Sequence, residues 1–215
     1  MKADYLRQSS IINIGAYRDN KIAIVGCGAI GSFVGIALAK MGLTNFILFD
    51  HDKIEAHNLP NQFYTEDDIG QLKTKALAEH MKSFNSDCKI MTLGRFEKDT
   101  TLGLPIVVSC VDKMEIRKMI FEQALKDSQF LIDCRMAKFQ GQIYSVDLTD
   151  KKDVENYRKT LFSDKDAVRL RCTERSIIFT VLGIASMVCN QIVKAFNKEE
   201  FPNFICLDYD AVQLF

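Results

Sequence analysis

The chain holds only three prolines in 215 residues and no low-complexity tract, so nothing in it reads as a linker between domains. No C-x-x-C pair occurs, and the three histidines (51, 57 and 80) lack the spacing of zinc ligands, which argues against a common structural zinc site. Formal net charge is zero and no basic block stands out, so nucleic acid is not the expected partner. The apolar runs fall short of a membrane span, and the opening MKADYLRQSS lacks the apolar core of a signal peptide. The expectation is one domain over 1–215, cytoplasmic, with no membrane partner. Seven scattered cysteines suit that reducing setting, with Cys27, Cys110, Cys189 and Cys206 read as small core residues.

What is present is an alternation. Apolar strand candidates lie at 21–26, 45–49, 88–93, 106–111, 129–133 and 142–148, with helix candidates at 30–41, 71–84 and 113–127. Strand–helix–strand repeated in this way predicts right-handed crossovers: an α/β, Rossmann-like, mostly parallel sheet with helices on both faces. A late helix over about 175–197 is apolar nearly all round and should be deeply packed. The tail FPNFICLDYDAVQLF alternates as an antiparallel edge strand would. The charge-dense stretch 149–175 reads as a long surface crossover loop.

The first strand runs into Gly26-Cys-Gly28-Ala-Ile-Gly31, the G-x-G-x-x-G spacing at a strand-to-helix turn. Gly26 permits the tight turn, Gly28 lets backbone approach a phosphate, and Gly31 allows helix and strand to pack closely. The helix N-terminus adds amide donors and a positive dipole end. Asp50 ends the second strand, where an acidic residue accepts ribose hydroxyls, although it also suits a plain turn cap. Asp52 reads as solvated, facing elsewhere. Up to this point an NAD(P)-dependent oxidoreductase fits equally well.

The next residues separate the readings. Asp50-His-Asp52-Lys-Ile-Glu-Ala-His-Asn58-Leu-Pro-Asn61-Gln62 is followed by Asp68-Ile-Gly70-Gln-Leu-Lys73 and by Cys110-Val-Asp112-Lys-Met-Glu-Ile-Arg117. Tyr5-Leu-Arg7-Gln8 precedes them, and Phe139-Gln-Gly141-Gln142 comes after. This ordered set resembles the ThiF/MoeB/HesA family, the adenylating domains of ubiquitin-activating-type enzymes, over about residues 5–148 and more loosely over 176–196. The resemblance implies an ATP-dependent adenylyltransferase that joins a carboxylate to the α-phosphate of ATP and releases pyrophosphate. The carboxylate would be the C-terminus of a ubiquitin-like or sulfur-carrier protein. It also implies residue roles. Lys73 would lie along the phosphates, Asn58 and Gln62 would bond the ribose or phosphates, and Asp112 would hold Mg²⁺. Arg7 would reach the site of a neighbouring subunit, hence a homodimer. Cys172, flanked by Arg171 and Arg175, is the candidate for a covalent thioester or sulfur-transfer step, since neighbouring cations favour thiolate. Arg171, Thr173 and Arg175 serve equally well as lining for a substrate-tail channel with no covalent step.

Each residue alone has a plainer reading: Lys73 as a solvated helix residue, Asp112 as a helix cap, Arg7 as an exposed arm, Arg117 as a surface pair. Two positions depart from the family pattern. Asn61 stands where the family carries arginine, and Ala29 where it carries glycine. Arg135 is expected near the crevice, supplying the missing charge from another direction. The loss at position 61 also suits a catalytically inactive nucleotide-binding scaffold.

Overall fold

The computed structural model describes residues 4–100, 103–162 and 177–211. Short apolar runs become the strands β1 (Lys21–Val25), β2 (Asn45–Phe49), β3 (Lys89–Leu93) and β4 (Ile106–Ser109). They are followed by β5 (Phe130–Ala137), β6 (Gln140–Asp147) and β7 (Phe204–Asp208). The seven form one sheet in the order β3-β2-β1-β4-β5-β6-β7. The first five run parallel, and β6 and β7 add antiparallel at one edge.

The helices are α1 (Ile14–Tyr17), α2 (Ala29–Lys40), α3 (Lys73–Phe84), α4 (Met114–Asp127), α5 (Lys151–Arg158) and α6 (Ile178–Asn197). Alternation along β1 sends Ile22 and Ile24 into one apolar layer and Ala23 and Val25 into the other. The first layer contains Val34 and Leu38 of α2, Leu77 and Met81 of α3, and Ile184 and Val188 of α6. The second contains Ile120 and Phe121 of α4 and Tyr157 of α5. Helices therefore cover both faces, as a mostly parallel sheet requires.

Four details depart from expectation. Strand β5 continues past Asp133 to Ala137, pairing with β6 down to Ala137↔Gln140. Part of the expected crossover loop is helical: Asp150 caps α5, its carboxylate accepting from the amides of Lys152 and Asp153. Helix α6 is 20 residues long and, by length and composition, apolar enough for a membrane span. Its Ile184, Val188 and Ile192 are nevertheless buried in the first apolar layer. Cys206 is exposed rather than in the core, because it lies on the outermost strand.

Candidate functional site

Strand β1 pairs with β2 on one side and β4 on the other, so the chain's connections leave in opposite directions at its carboxyl end. That is where an open α/β sheet forms its binding crevice. Gly26 turns the chain there with φ of 94°, and a Cβ on it would lie 2.7 Å from the Cys110 carbonyl oxygen. A Cβ on Gly31 would lie 1.9 Å from the Gly26 oxygen, so α2 can pack against β1 only without one. Gly28 heads α2 with no side-chain cap, and the nearest atom to a Cβ built on it is Gln62 Nε2 at 3.9 Å. The first-turn amides of α2 thus present a positive end to the crevice.

Asp50 holds this loop. Its Oδ2 accepts from the Cys27 amide at 2.8 Å and its Oδ1 from the Asp52 amide at 2.9 Å. Asp50 thus caps the turn, and each oxygen keeps a lone pair for a ribose hydroxyl. Burial, and then the Asp50 charge, push the Cys27 thiol well above its ordinary value, so it stays protonated beneath the loop.

Lys73 is not a solvated helix residue. Its side chain is 9% exposed, and Nζ donates to Asp52 Oδ2 at 3.0 Å. Asp52 is therefore paired rather than facing elsewhere, because the β2–α3 connection folds back and the Lys73 amide donates to the Asp52 carbonyl at 3.0 Å. Burial acts to raise the Asp52 carboxyl, but the Lys73 hydrogen bond and the Lys73, His51 and Arg95 charges outweigh it and hold the group below the usual carboxylate range. The buried Tyr64 hydroxyl bridges the two halves, donating to the Cys27 carbonyl at 2.6 Å and reaching the Lys73 carbonyl at 3.2 Å. Its burial raises the phenol far above its ordinary value.

The segment between Asp52 and Lys73 is tied to α2 as well. Ser32 Oγ accepts from the Phe63 amide at 2.9 Å. Asn58 is buried and its Oδ1 accepts from the Glu55 amide at 3.0 Å, closing a 3-10 turn. That leaves the Asn58 side-chain amide as its remaining donor group. Gln62 Oε1 is buried and, among the described residues, has no hydrogen-bond partner; it lies beside Gly28. A buried unpaired carbonyl next to a glycine loop is the polar vacancy that a hydroxyl or amine of a bound nucleotide would fill.

Asp112 is exposed just beyond β4, and among the described residues its carboxylate has no ion-pair partner. The helix-cap reading fails, because Lys113 occupies the cap position of α4 with no side-chain bond. The donor set of Asp112 and phosphate oxygens suits Mg²⁺, a hard cation that takes oxygen ligands. Arg117 is not a surface pair: it is buried, bonded to Asp133, to the Val111 carbonyl, and to the Cys134 carbonyl at 2.8 Å. Arg135 does not supply charge to the crevice. Asp133 Oδ2 accepts from its Nε at 2.9 Å, Thr160 holds its other nitrogens, and its guanidinium lies 4.3 Å from the Tyr144 ring centre.

Arg7 is exposed on a 3-10 turn anchored by Gln8, whose Nε2 donates to the Met41 carbonyl at 2.5 Å. Met41 caps the far end of α2, roughly 20 Å from Gly28 at 1.5 Å per residue. The arm is thus seated away from its own glycine loop. Cys172, with Arg171, Thr173 and Arg175, lies outside the described residues.

The structure thus brings together Gly26, Gly28, Gly31, Asp50, Gln62 and Lys73, and sets Asp112 at the end of β4 beside β1. Sequence reading missed Ser32, Tyr64, the pairing of Asp52, and Asp133.

The profile of the ThiF family matches residues 13–213. Ubiquitin-like modifier-activating enzyme 5 of Drosophila persimilis is 33% identical over 132 residues, covering 54% of this chain and 34% of that protein. The enzyme of the same name from Aedes aegypti is 34% identical over 122 residues, 48% of this chain and 30% of that protein. The chain spans about a third of the length of these curated relatives. Among solved structures, E. coli MccB crystallised with ATP superposes with a TM-score of 0.75 over 93% of this chain and 63% of that one, at 18% identity. PaaA superposes with a TM-score of 0.70 over 97% of this chain and 80% of that one, at 16% identity. At those identities the likeness is one of fold.

Proposed function

The chain belongs to the ThiF family, and on that premise we propose that it is an ATP-dependent adenylyltransferase. It activates a carboxylate, the C-terminal tail of a ubiquitin-like or sulfur-carrier protein, as an acyl-adenylate. The observation that carries this reading is the Tyr64 hydroxyl, which joins the glycine loop to the start of α3 and so keeps buried Lys73 beside the phosphate cradle. A nicotinamide dinucleotide crevice gives no role to Lys73 or to the segment that delivers it.

The reaction joins a carboxylate oxygen to the α-phosphorus and expels pyrophosphate. Phosphoryl-type transfer asks mainly for positioning and for charges placed where the transition state needs them. The α2 N-terminus and Lys73 supply those charges, Asp50 orients the ribose, and Gln62 with Asn58 adds hydrogen bonds. Asp112 would hold Mg²⁺, which neutralises phosphate charge when bound. Support for ATP includes the fold of MccB, a protein crystallised with ATP, and support for a peptide-like carboxylate includes MccB crystallised with MccA.

Arg7, seated at the far end of its own α2, would serve the site of a second subunit in a homodimer. Cys172 is proposed as the acceptor of the activated chain, in a cytoplasmic protein.

The test is ATP–pyrophosphate exchange, stimulated by a partner with a flexible C-terminal tail. Absence of ATP binding in calorimetry defeats the reading. Thermal stabilisation by NAD but not by ATP transfers the chain to the oxidoreductase class. ATP binding without Mg²⁺-dependent turnover leaves a scaffold.

A further inference from the structure

Asp133 lies on β5 with no exposed surface, and each of its carboxylate oxygens holds an arginine. Oδ1 accepts from Nη1 of Arg117, on α4, and Oδ2 from Nε of Arg135, on its own strand. Two guanidinium groups on one carboxylate leave a net positive charge in the interior, which is costly unless the remaining donors are filled. Backbone carbonyls fill them. Arg117 donates to Cys134 and Val111, and Arg135 donates to Thr160, whose Oγ1 also accepts from it at 2.8 Å.

The Val111 carbonyl belongs to the peptide that leads into Asp112. Fixing that carbonyl fixes the peptide plane and so the direction in which the Asp112 side chain leaves β4. Nothing else among the described residues sets that direction by an ion pair. Arg117 is the tie, and Asp133 keeps the tie in place: without the carboxylate, a buried cation would rest on neutral carbonyls alone.

We infer that Asp133 is a positioning residue for the cation that accompanies the nucleotide: it orients Arg117, Arg117 fixes the Val111 carbonyl, and the fixed peptide aims Asp112. Arg135 completes the carboxylate's partners and anchors it to the end of α5. The inference rests on the reading that this crevice takes ATP with a divalent cation, and adds to it a residue that touches neither. Its effect falls on the cation and spares the nucleotide's own contacts.

The experiment is calorimetric titration of ATP into the whole chain, once with a chelator and once across a series of Mg²⁺ concentrations. Asp133→Asn should leave metal-free ATP affinity within about twofold and raise the Mg²⁺ concentration for half-maximal effect about tenfold or more, as loss of a residue supporting a metal ligand does. Because Asp133→Asn strands two buried arginines, a double variant, Arg117→Met with Asp133→Leu, removes the Arg117 pair as a unit. Arg135 keeps Thr160 and the Tyr144 ring. This variant should fold and show the same Mg²⁺ shift. A folded double variant with unchanged Mg²⁺ dependence overturns the inference, as does an equal loss of affinity with and without Mg²⁺, which marks a structural role only. Wild-type protein that binds ATP under neither condition overturns the nucleotide reading itself, a separate and recognisable result.

Discussion

The Tyr64 hydroxyl donates to the Cys27 carbonyl oxygen at 2.6 Å, joining a loop residue to the centre of the glycine turn. Tyr64→Phe removes the donor and leaves a buried carbonyl unfilled. The expected cost is about 1–3 kcal/mol of unfolding free energy, with weaker ATP binding, because the turn and α3 lose their shared anchor. Urea unfolding and ATP titration of the same variant measure both. An unchanged unfolding midpoint contradicts the role.

Gly31→Ala places a methyl 1.9 Å from the Gly26 oxygen, and backbone cannot yield as a side-chain tip does. The expected loss is about 3 kcal/mol or more, at the upper end of overpacking. Thermal unfolding reads it directly. Gly70→Ala is a contrasting control: its Cβ would meet nothing within 4 Å, and φ of 88° supplies the only strain.

Lys73→Met keeps the apolar stem and deletes the charge. If Lys73 stabilises charge on the phosphates, ATP–pyrophosphate exchange should fall about 100-fold or more. Stability should change by less than about 1 kcal/mol, since the partner Asp52 has 54% of its side chain exposed and such pairs contribute little. A small loss of exchange beside a large loss of stability would reverse the assignment.

Asp68 gives a pH dependence with a definite sign. Burial acts to raise its carboxyl, but the Thr65 amide and hydroxyl and His80, whose Nε2 lies 2.7 Å from Oδ2, together lower it. A carboxyl lowered by folding adds stability that is fully present above its unfolded value of about 3.9 and is lost as pH falls through the folded value. Melting temperatures of wild type and Asp68→Asn should therefore differ most above about pH 5 and converge in strong acid. Parallel curves throughout would show that Asp68 contributes no such term.

The sheet was legible because β1, β2 and β4 are continuous apolar runs at βα spacing, a pattern carried entirely by local sequence. The end of β5 was not. Asp133-Cys-Arg135 interrupts the apolar run, and what lets a strand carry those charges is Arg117, a partner from another element that no window of sequence contains. Helix α5 was read as loop for a related reason: in eight residues only Tyr157 is buried, too little to leave a periodic trace. At the candidate site, the glycines and Asp50 follow from motif spacing, and Gln62 and Lys73 from the family resemblance. Tyr64 and Ser32 do not, because their roles are hydrogen bonds to backbone of distant segments, a property without a composition signature.

The seam between β1 and β4 joins Val25 to Ser109, with the Cys110 amide donating to the Val25 carbonyl at 2.8 Å. Chain closure over such a separation is paid before the contact returns anything, so parallel pairing of this kind forms slowly. Two strands and two helices lie between those partners in the sequence, so the glycine turn meets Cys110 only across a long loop. Closure of this seam is therefore expected late in folding, and ATP added to a refolding chain should slow unfolding without hastening the steps that precede that closure.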